Sequence, residues 1–146
     1  MKLENAVNIE DLHRMAKRRL PKIAFDFIEG GVEDELGISR NEAAFKRYRL
    51  MPRYLVDVNK RDQSAKLFDR VYASPFGISP TGAAGLFRPG ADLMLAESAA
   101  GANIPFVMSG ASTASMEKAA GVAPTHTWYQ LYVARDPKIS EDLIRR

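Results

Sequence analysis

Three apolar runs constrain this chain more than any other feature: "PFGISP" from Pro75, "IPFVMSG" from Ile104 and "THTWYQLYV" from Thr125, centred near Ile78, Val107 and Leu131. Helical segments alternate with them, "PGADLMLAESAAG" after the first, "SMEKAAG" after the second, and a helix opened by Asp136-Pro137 after the third. A recurrence every ~25 to 30 residues is the spacing of βα units in a parallel sheet. Spacing alone does not separate a barrel from a doubly wound sheet. In both architectures the active site lies at the carboxyl ends of the strands, which is where "SPTGAAG", "SGAS" and "QLYV" fall.

The region before Ser74 reads differently, so the chain divides into 1–73 and 74–146. Asn8 caps a helix over "IEDLHRMAKRRL", Pro21 suits the first turn of the next helix, and Gly30-Gly31 stops "KIAFDFIE". Ser39 and Glu42 have the Ser-x-x-Glu spacing of a capping box for "NEAAFKRYRL". From Met51 to Ala73 the pattern alternates and breaks often, as expected of extended chain or a small hairpin rather than a core strand.

Composition bounds the chemistry. With 146 residues, 46% apolar and 27% charged, the chain has enough apolar side chains for a real core. It has no cysteine, which removes disulfides, thiolate metal sites and cysteine nucleophiles; the two histidines, His13 and His126, are too far apart in sequence to suggest a metal-ligand pair. The opening "MKLENAVNIEDLHRM" lacks the apolar core of a secretory signal, and no run approaches the ~20 apolar residues that span a bilayer, so a cytoplasmic protein is expected. Net charge is only +3, and the basic run "RMAKRRLPK" has no interleaved aromatics for base stacking, so it reads as a solvated helix face and not as a nucleic-acid site.

The segment "SPTGAAG", Ser79 to Gly85, leaves its main chain bare. Pro80 has no amide hydrogen, and Gly82, Ala83, Ala84 and Gly85 barely cover the backbone, so a flat ligand can lie against the chain and use its amides. A tight turn of small residues is the alternative. Phosphate loops fit poorly, because neither Gly-Lys-Ser/Thr nor Gly-x-Gly-x-x-Gly follows the first strand. Singly, Ser109 can simply end a strand, Gln130 can pair with a buried backbone group, and Tyr132 can be a core aromatic.

Five blocks taken together are more specific: "LPKIAFDFIEGGVEDE", "RNEAAFKRYRLMPRYLVDV", "SPFGISPTGAAGL", "IPFVMSGAST" and "WYQLYV". Their order and spacing resemble the amino-terminal part of the FMN-dependent 2-hydroxy acid dehydrogenases and oxidases. That family contains glycolate oxidase, flavin-type L-lactate dehydrogenase and mandelate dehydrogenase, and the helical opening and "PTG" look most like the mandelate branch.

The resemblance implies a (β/α)₈ TIM barrel with FMN at the top of its strands, of which this chain holds the helical opening, a short hairpin region and the first three βα units. Pro80, Thr81 and Gly82 fall on the family's segment beside the isoalloxazine ring, where Gly82 lets the main chain approach closely. Ser109 falls on the second-strand serine that bonds the flavin and Gln130 on the third-strand glutamine at its polar edge. Gln130 and Tyr132, two apart on a strand, would point to one side, with Tyr132 toward substrate. Phe27 stands where the family usually has a tyrosine that helps hold the substrate carboxylate. His126 and Trp128 match no catalytic position and are expected in packing.

The family oxidises an L-2-hydroxy acid to a 2-oxo acid. Its histidine base, its carboxylate-binding arginines and its lysine near the flavin belong to later strands, beyond Arg146, so no catalytic residue is assigned here. A barrel of this type needs ~250 residues, so the chain is expected to be a fragment, through a truncated reading frame or an incomplete sequence, and inactive alone. The alternatives are a non-catalytic remnant that binds partners, or part of another FMN barrel such as a type 2 isopentenyl diphosphate isomerase. No nucleic-acid partner and no metal are expected; a homo-oligomer and peripheral membrane docking of the full-length protein stay open.

Overall fold

The computed structural model describes residues 3–146; Met1 and Lys2 of the opening segment lie outside the described residues. The chain forms two compact units, one ending at Asn59 and one spanning Lys60–Arg146.

The first unit is helical. A 3₁₀ turn at Leu3–Asn5 precedes α1 (Ile9–Arg19), α2 (Lys22–Glu29) and α3 (Leu36–Phe45). Asn8 caps α1 as its sequence suggests: its side chain accepts from Asp11 N at 2.8 Å, while Asp11 Oδ2 reaches back to Val7 N at 3.0 Å. The first bond satisfies one of the amides a helix start leaves open, and the second fastens the residue before the cap. The Val7 amide, with Arg14 beside it, holds the Asp11 carboxyl below the usual carboxylate range. Pro21 precedes α2 as its cap, and Gly30, in extended conformation, ends it.

The capping box at Ser39 and Glu42 does not form. Glu35, at φ 57°, turns the chain into α3 at Leu36, so Ser39 lies inside the helix and its hydroxyl donates to Leu36 O at 3.0 Å. A left-handed residue makes the entry that sequence spacing assigned to a serine cap.

α1 and α2 are fastened by one buried ring and one charged pair. Phe25 is buried with its ring 5.5 Å from His13 and under Lys17, and His13 Nε2 lies 2.6 Å from Glu29 Oε2. The Glu29 hydrogen bond raises the His13 pKa above the ordinary histidine range.

The second unit opens with an antiparallel hairpin, β1 (Ala65–Leu67) and β2 (Arg70–Tyr72), followed by α4 (Ala84–Phe87), α5 (Ala91–Gly101), β3 (Phe106–Met108), α6 (Met116–Val122), β4 (Thr127–Tyr129) and α7 (Pro137–Arg145). The βα alternation read from the apolar runs is present, but its ladders are short. β3 and β4 pair in parallel, Phe106 opposite Thr127 and Met108 opposite Tyr129. The first run contributes a single parallel bridge, Ile78 to Phe106, with Val107 N donating to Ile78 O at 2.9 Å. The third ends at Tyr129, earlier than its apolar pattern suggests, although Gln130 N still donates to Met108 O at 2.9 Å.

Small residues allow this packing. Asp92, Ala96 and Ala99 share the buried face of α5 at helical spacing, and Ala119 and Ala123 do the same for α6 and its end. With no side chain larger than a methyl at the alanines, both helices close on Phe106 and Met108, the largest fully buried side chains. Gly90, at φ +77°, makes the turn into α5 that a residue with a Cβ rarely adopts, and Ser115 and Asp136 cap α6 and α7 from their side chains.

The hairpin belongs to this unit, although the sequence reading groups it with residues 1–73, because specific bonds tie it to the βα segment. Ala73 N donates to Asn103 O at 2.9 Å, Trp128 Nε1 donates to Tyr72 OH at 3.1 Å, and Phe68 stacks at 5.2 Å on Trp128. His126 is buried beneath it, with Nε2 3.1 Å from Asn103 Oδ1 and 3.2 Å from Arg70 Nη2. Burial, and then the Arg70 charge, push its pKa down.

The two histidines therefore titrate on opposite sides of the ordinary value of about 6.5. His13 binds its proton more tightly when folded, so its contribution is full below about pH 6.5 and is lost as pH rises through its raised pKa. His126 binds its proton less tightly when folded, so its contribution is present above about pH 6.5 and lost as pH falls through its lowered pKa. NMR titration of the ring carbons should give a higher midpoint for His13 than for His126, and Glu29→Gln should lower the first alone. Coincident midpoints would contradict both assignments.

Candidate functional site

Parallel pairing puts the carboxyl ends of Ile78, β3 and β4 at one rim, so the segments that follow them converge. These are Ser79–Ala83, Ser109–Ser115 and Gln130–Tyr132, which overlap the segments "SPTGAAG", "SGAS" and "QLYV" that the sequence singles out.

Ser109 and Gln130 meet directly. The Ser109 hydroxyl donates to Gln130 Oε1 at 3.2 Å and accepts from Ala111 N at 3.1 Å, and Gly110 N donates to the same Oε1 at 3.3 Å. Two donors converge on one amide oxygen, which fixes the orientation of the glutamine side chain and turns its Nε2 donor away from them. Ser109 is 4% exposed, and its single hydrogen is committed to Gln130. What it retains toward a ligand is one acceptor lone pair.

Pro80, Thr81 and Gly82 line the adjoining side. Thr81 and Gly82 are exposed and Pro80 is half-buried. Ala83, at φ 53°, donates its N–H to Ala111 O at 2.9 Å, which docks this segment on the one after β3. A Cβ placed on Gly82 would meet Ala111 Cβ at 3.7 Å and Ser109 Oγ at 3.8 Å, ordinary contact distances, so a small side chain would fit there without displacing a neighbour. The glycines at 85 and 110 differ. A Cβ on Gly110 would lie 2.7 Å from the Tyr132 ring, and one on Gly85 would overlap Thr113 Oγ1 and lie 2.9 Å from Thr113 Cβ. Close packing requires those two glycines, whereas the neighbours of Gly82 leave room for a methyl group.

Tyr132 lies past the end of β4, so the strand alternation expected to pair it with Gln130 does not extend to it; contact with Gly110 positions its ring instead, and it is 66% exposed. Phe27 is on α2, two residues from buried Phe25 and hence on the other side of that helix, and is 75% exposed. His126 and Trp128 sit under the hairpin, the packing role expected of them.

Asp92 and Thr113 are the part of this arrangement that sequence reading passed over. Asp92, in the first turn of α5, is 2% exposed, and its Oδ2 accepts from Thr113 Oγ1 at 2.6 Å and Thr113 N at 3.2 Å. The available signal was an acidic residue on the same face as Ala96 and Ala99, where only apolar residues are expected to be buried.

The sequence profile of the FMN-dependent dehydrogenase family matches residues 16–146. The (S)-mandelate dehydrogenase of Pseudomonas putida is 42% identical over 130 residues, 89% of this chain and 33% of that protein. A putative L-lactate dehydrogenase of Mycobacterium tuberculosis is 38% identical over 146 residues, 99% of this chain and 35% of that protein. Among solved structures, a soluble mutant of the membrane-associated (S)-mandelate dehydrogenase from Pseudomonas putida superposes with a TM-score of 0.89 at 40% identity, covering 97% of this chain and 40% of that one. A mandelate oxidase superposes at 0.90 with 35% identity, covering 97% and 41%. The chain thus spans well under half the length of the relatives it matches.

Alanine substitution should separate the open glycine from the filled one. Gly85→Ala gains up to about 1 kcal/mol in helix propensity but forces Thr113 off Asp92, an overpacking cost of about 1 to 3 kcal/mol, so it should lower Tm. Gly82→Ala should stay within about 0.5 kcal/mol of the parent. Thermal melts followed by circular dichroism check both, and a larger loss at Gly82 would mean that its surroundings are packed.

Proposed function

Because this chain belongs to the FMN-dependent dehydrogenase family, we propose that it supplies the flavin-facing loops of a (β/α)₈ enzyme that oxidises an L-2-hydroxy acid to a 2-oxo acid. The observation that carries this reading is the convergence of Gly82, Ser109 and Gln130 at one rim, where, of the glycines at 82, 85 and 110, only Gly82 could take a Cβ without a clash. FMN, when bound, accepts the two electrons released as the hydroxyl carbon becomes a carbonyl.

The residues present suit a flat ligand with a polar edge. The Ala83–Ala111 bond holds the main chain of Pro80, Thr81 and Gly82 at the rim, and the missing side chain at Gly82 lets that backbone come against a ring face. Gln130 presents Nε2 as a hydrogen-bond donor because Ser109 and Gly110 hold its oxygen. Ser109 acts chiefly by orienting Gln130. Tyr132 places a phenol near this edge, suited to a substrate carboxylate, and Phe27 keeps the ring of the family tyrosine without its hydroxyl donor.

Neither histidine of the chain is placed to take the substrate proton. His13 is paired with Glu29, and His126 is buried under the hairpin between Asn103 and Arg70. On this reading the base, and the cations that hold the substrate carboxylate, are supplied by the part of the relatives that this chain does not span. Among the described residues no helix is long and apolar enough to cross a membrane, and one similar protein is membrane-associated. A cytoplasmic enzyme that docks peripherally accommodates both facts.

The test is a graft of this chain in place of the segment it matches in the Pseudomonas putida (S)-mandelate dehydrogenase. The graft should retain FMN through desalting and lose flavin absorbance on adding (S)-mandelate. The 146 residues alone, given FMN and mandelate or lactate, should show no turnover. A folded graft without flavin, or turnover by the chain alone, would overturn the proposal. In the same graft Phe27→Tyr should lower KM for a small hydroxy acid such as lactate by about tenfold, the effect of one hydrogen bond to a charged group. kcat should change little, because a carboxylate anchor binds ground and transition states alike. An unchanged KM would remove Phe27 from the substrate site.

A further inference from the structure

We infer that Asp92 and Thr113 form a buried clamp that positions the flavin-facing loops, a role resting on the function proposed above. Asp92 is held in the first turn of α5, a helix fixed by Ala96 and Ala99 in the core, so its carboxylate is a stationary point. Thr113 is its partner on the segment after β3, and it binds Asp92 through both its hydroxyl and its backbone amide. The threonine also fills the space left by Gly85 in α4, directly after the bare segment. One side chain therefore touches α4, α5 and the loop between β3 and α6.

What this holds in place is the rim itself. Two residues before Thr113, Ala111 O receives the N–H of Ala83, and one residue earlier Gly110 N binds Gln130. If the Thr113 end moves, Ala111 moves with it, and the separation between the Gly82 backbone and the Ser109–Gln130 pair changes. Among the described residues no basic side chain forms an ion pair with Asp92; Thr113 supplies both of its described hydrogen bonds. Removing the hydroxyl leaves a buried carboxylate short of a donor, which a buried charge tolerates poorly. Asp92 and Thr113 touch no reacting atom and are positioning residues.

The variants are Thr113→Val, which keeps the shape and removes the donor, Thr113→Ser, which keeps the donor, and Asp92→Asn as a second route to the same loss. Amide hydrogen exchange on the 146-residue chain is the primary readout. Thr113→Val should speed exchange at Ala83, Gly110 and Ala111 by about tenfold or more, the factor for losing a hydrogen bond to a charged group. The core amides of Phe106 and Val107 should stay within about twofold, and Thr113→Ser should restore the rim. In the mandelate dehydrogenase graft the FMN dissociation constant should rise with Thr113→Val and Asp92→Asn and recover with Thr113→Ser. Equal acceleration at rim and core, no acceleration at the rim, or failure of serine to restore it would overturn the clamp. If the parent graft binds no FMN, the proposed function falls, while the exchange measurements still decide the clamp.

Discussion

Everything that gives this protein a site depends on the parallel pairing of β3, with Ile78 on one side and β4 on the other. Parallel strands run the same way, so the segments that leave them emerge at one rim. Each strand contributes only a few backbone bonds, and the geometry is maintained by what packs on it. α5 and α6 press alanines against Phe106 and Met108, and the hairpin closes over His126 and Trp128. Alanine-lined helices approach the sheet closely, which makes short strands sufficient to set direction.

The rim is cross-linked by polar side chains and by one main-chain bond. Gln130 accepts from Ser109 and Gly110 and so joins the ends of β3 and β4 beyond the last ladder residue. Ala83 and Ala111 join the first and second segments through their main chains, and Asp92 secures the second to α5. The glycines divide by what stands opposite them. Thr113 and Tyr132 occupy the spaces at Gly85 and Gly110, whereas Gly82 has only ordinary contacts with Ala111 and Ser109 opposite it.

Histidine placement illustrates how environment assigns roles to identical side chains. His13 gains a carboxylate and favours its charged form; His126 loses water beside a guanidinium and favours its neutral form. Both are engaged in holding elements together, hairpin to strands in one case and helix to helix in the other. The rim itself presents amide, hydroxyl and main-chain groups.

The sequence by itself determined the features that depend on near neighbours. Asn8, Ser115 and Asp136 cap helices because a side chain there reaches amides two or three residues on. The order of apolar runs and helices determined the βα alternation, and the residue blocks around Gly82, Ser109 and Gln130 marked the segments that meet. Only the tertiary structure decided the rest. Strand lengths depend on partners far along the chain, so Ile78 keeps one bridge and β4 stops at Tyr129. Glu35 rather than Ser39 opens α3, because backbone conformation overrode a local capping pattern. The hairpin joined the βα segment through Tyr72, Ala73 and Arg70, contacts that no local pattern encodes. Asp92 and Thr113 stand on different elements and become partners only when α5 and the loop after β3 pack together, because a buried carboxylate takes its donors from whatever the fold brings to it.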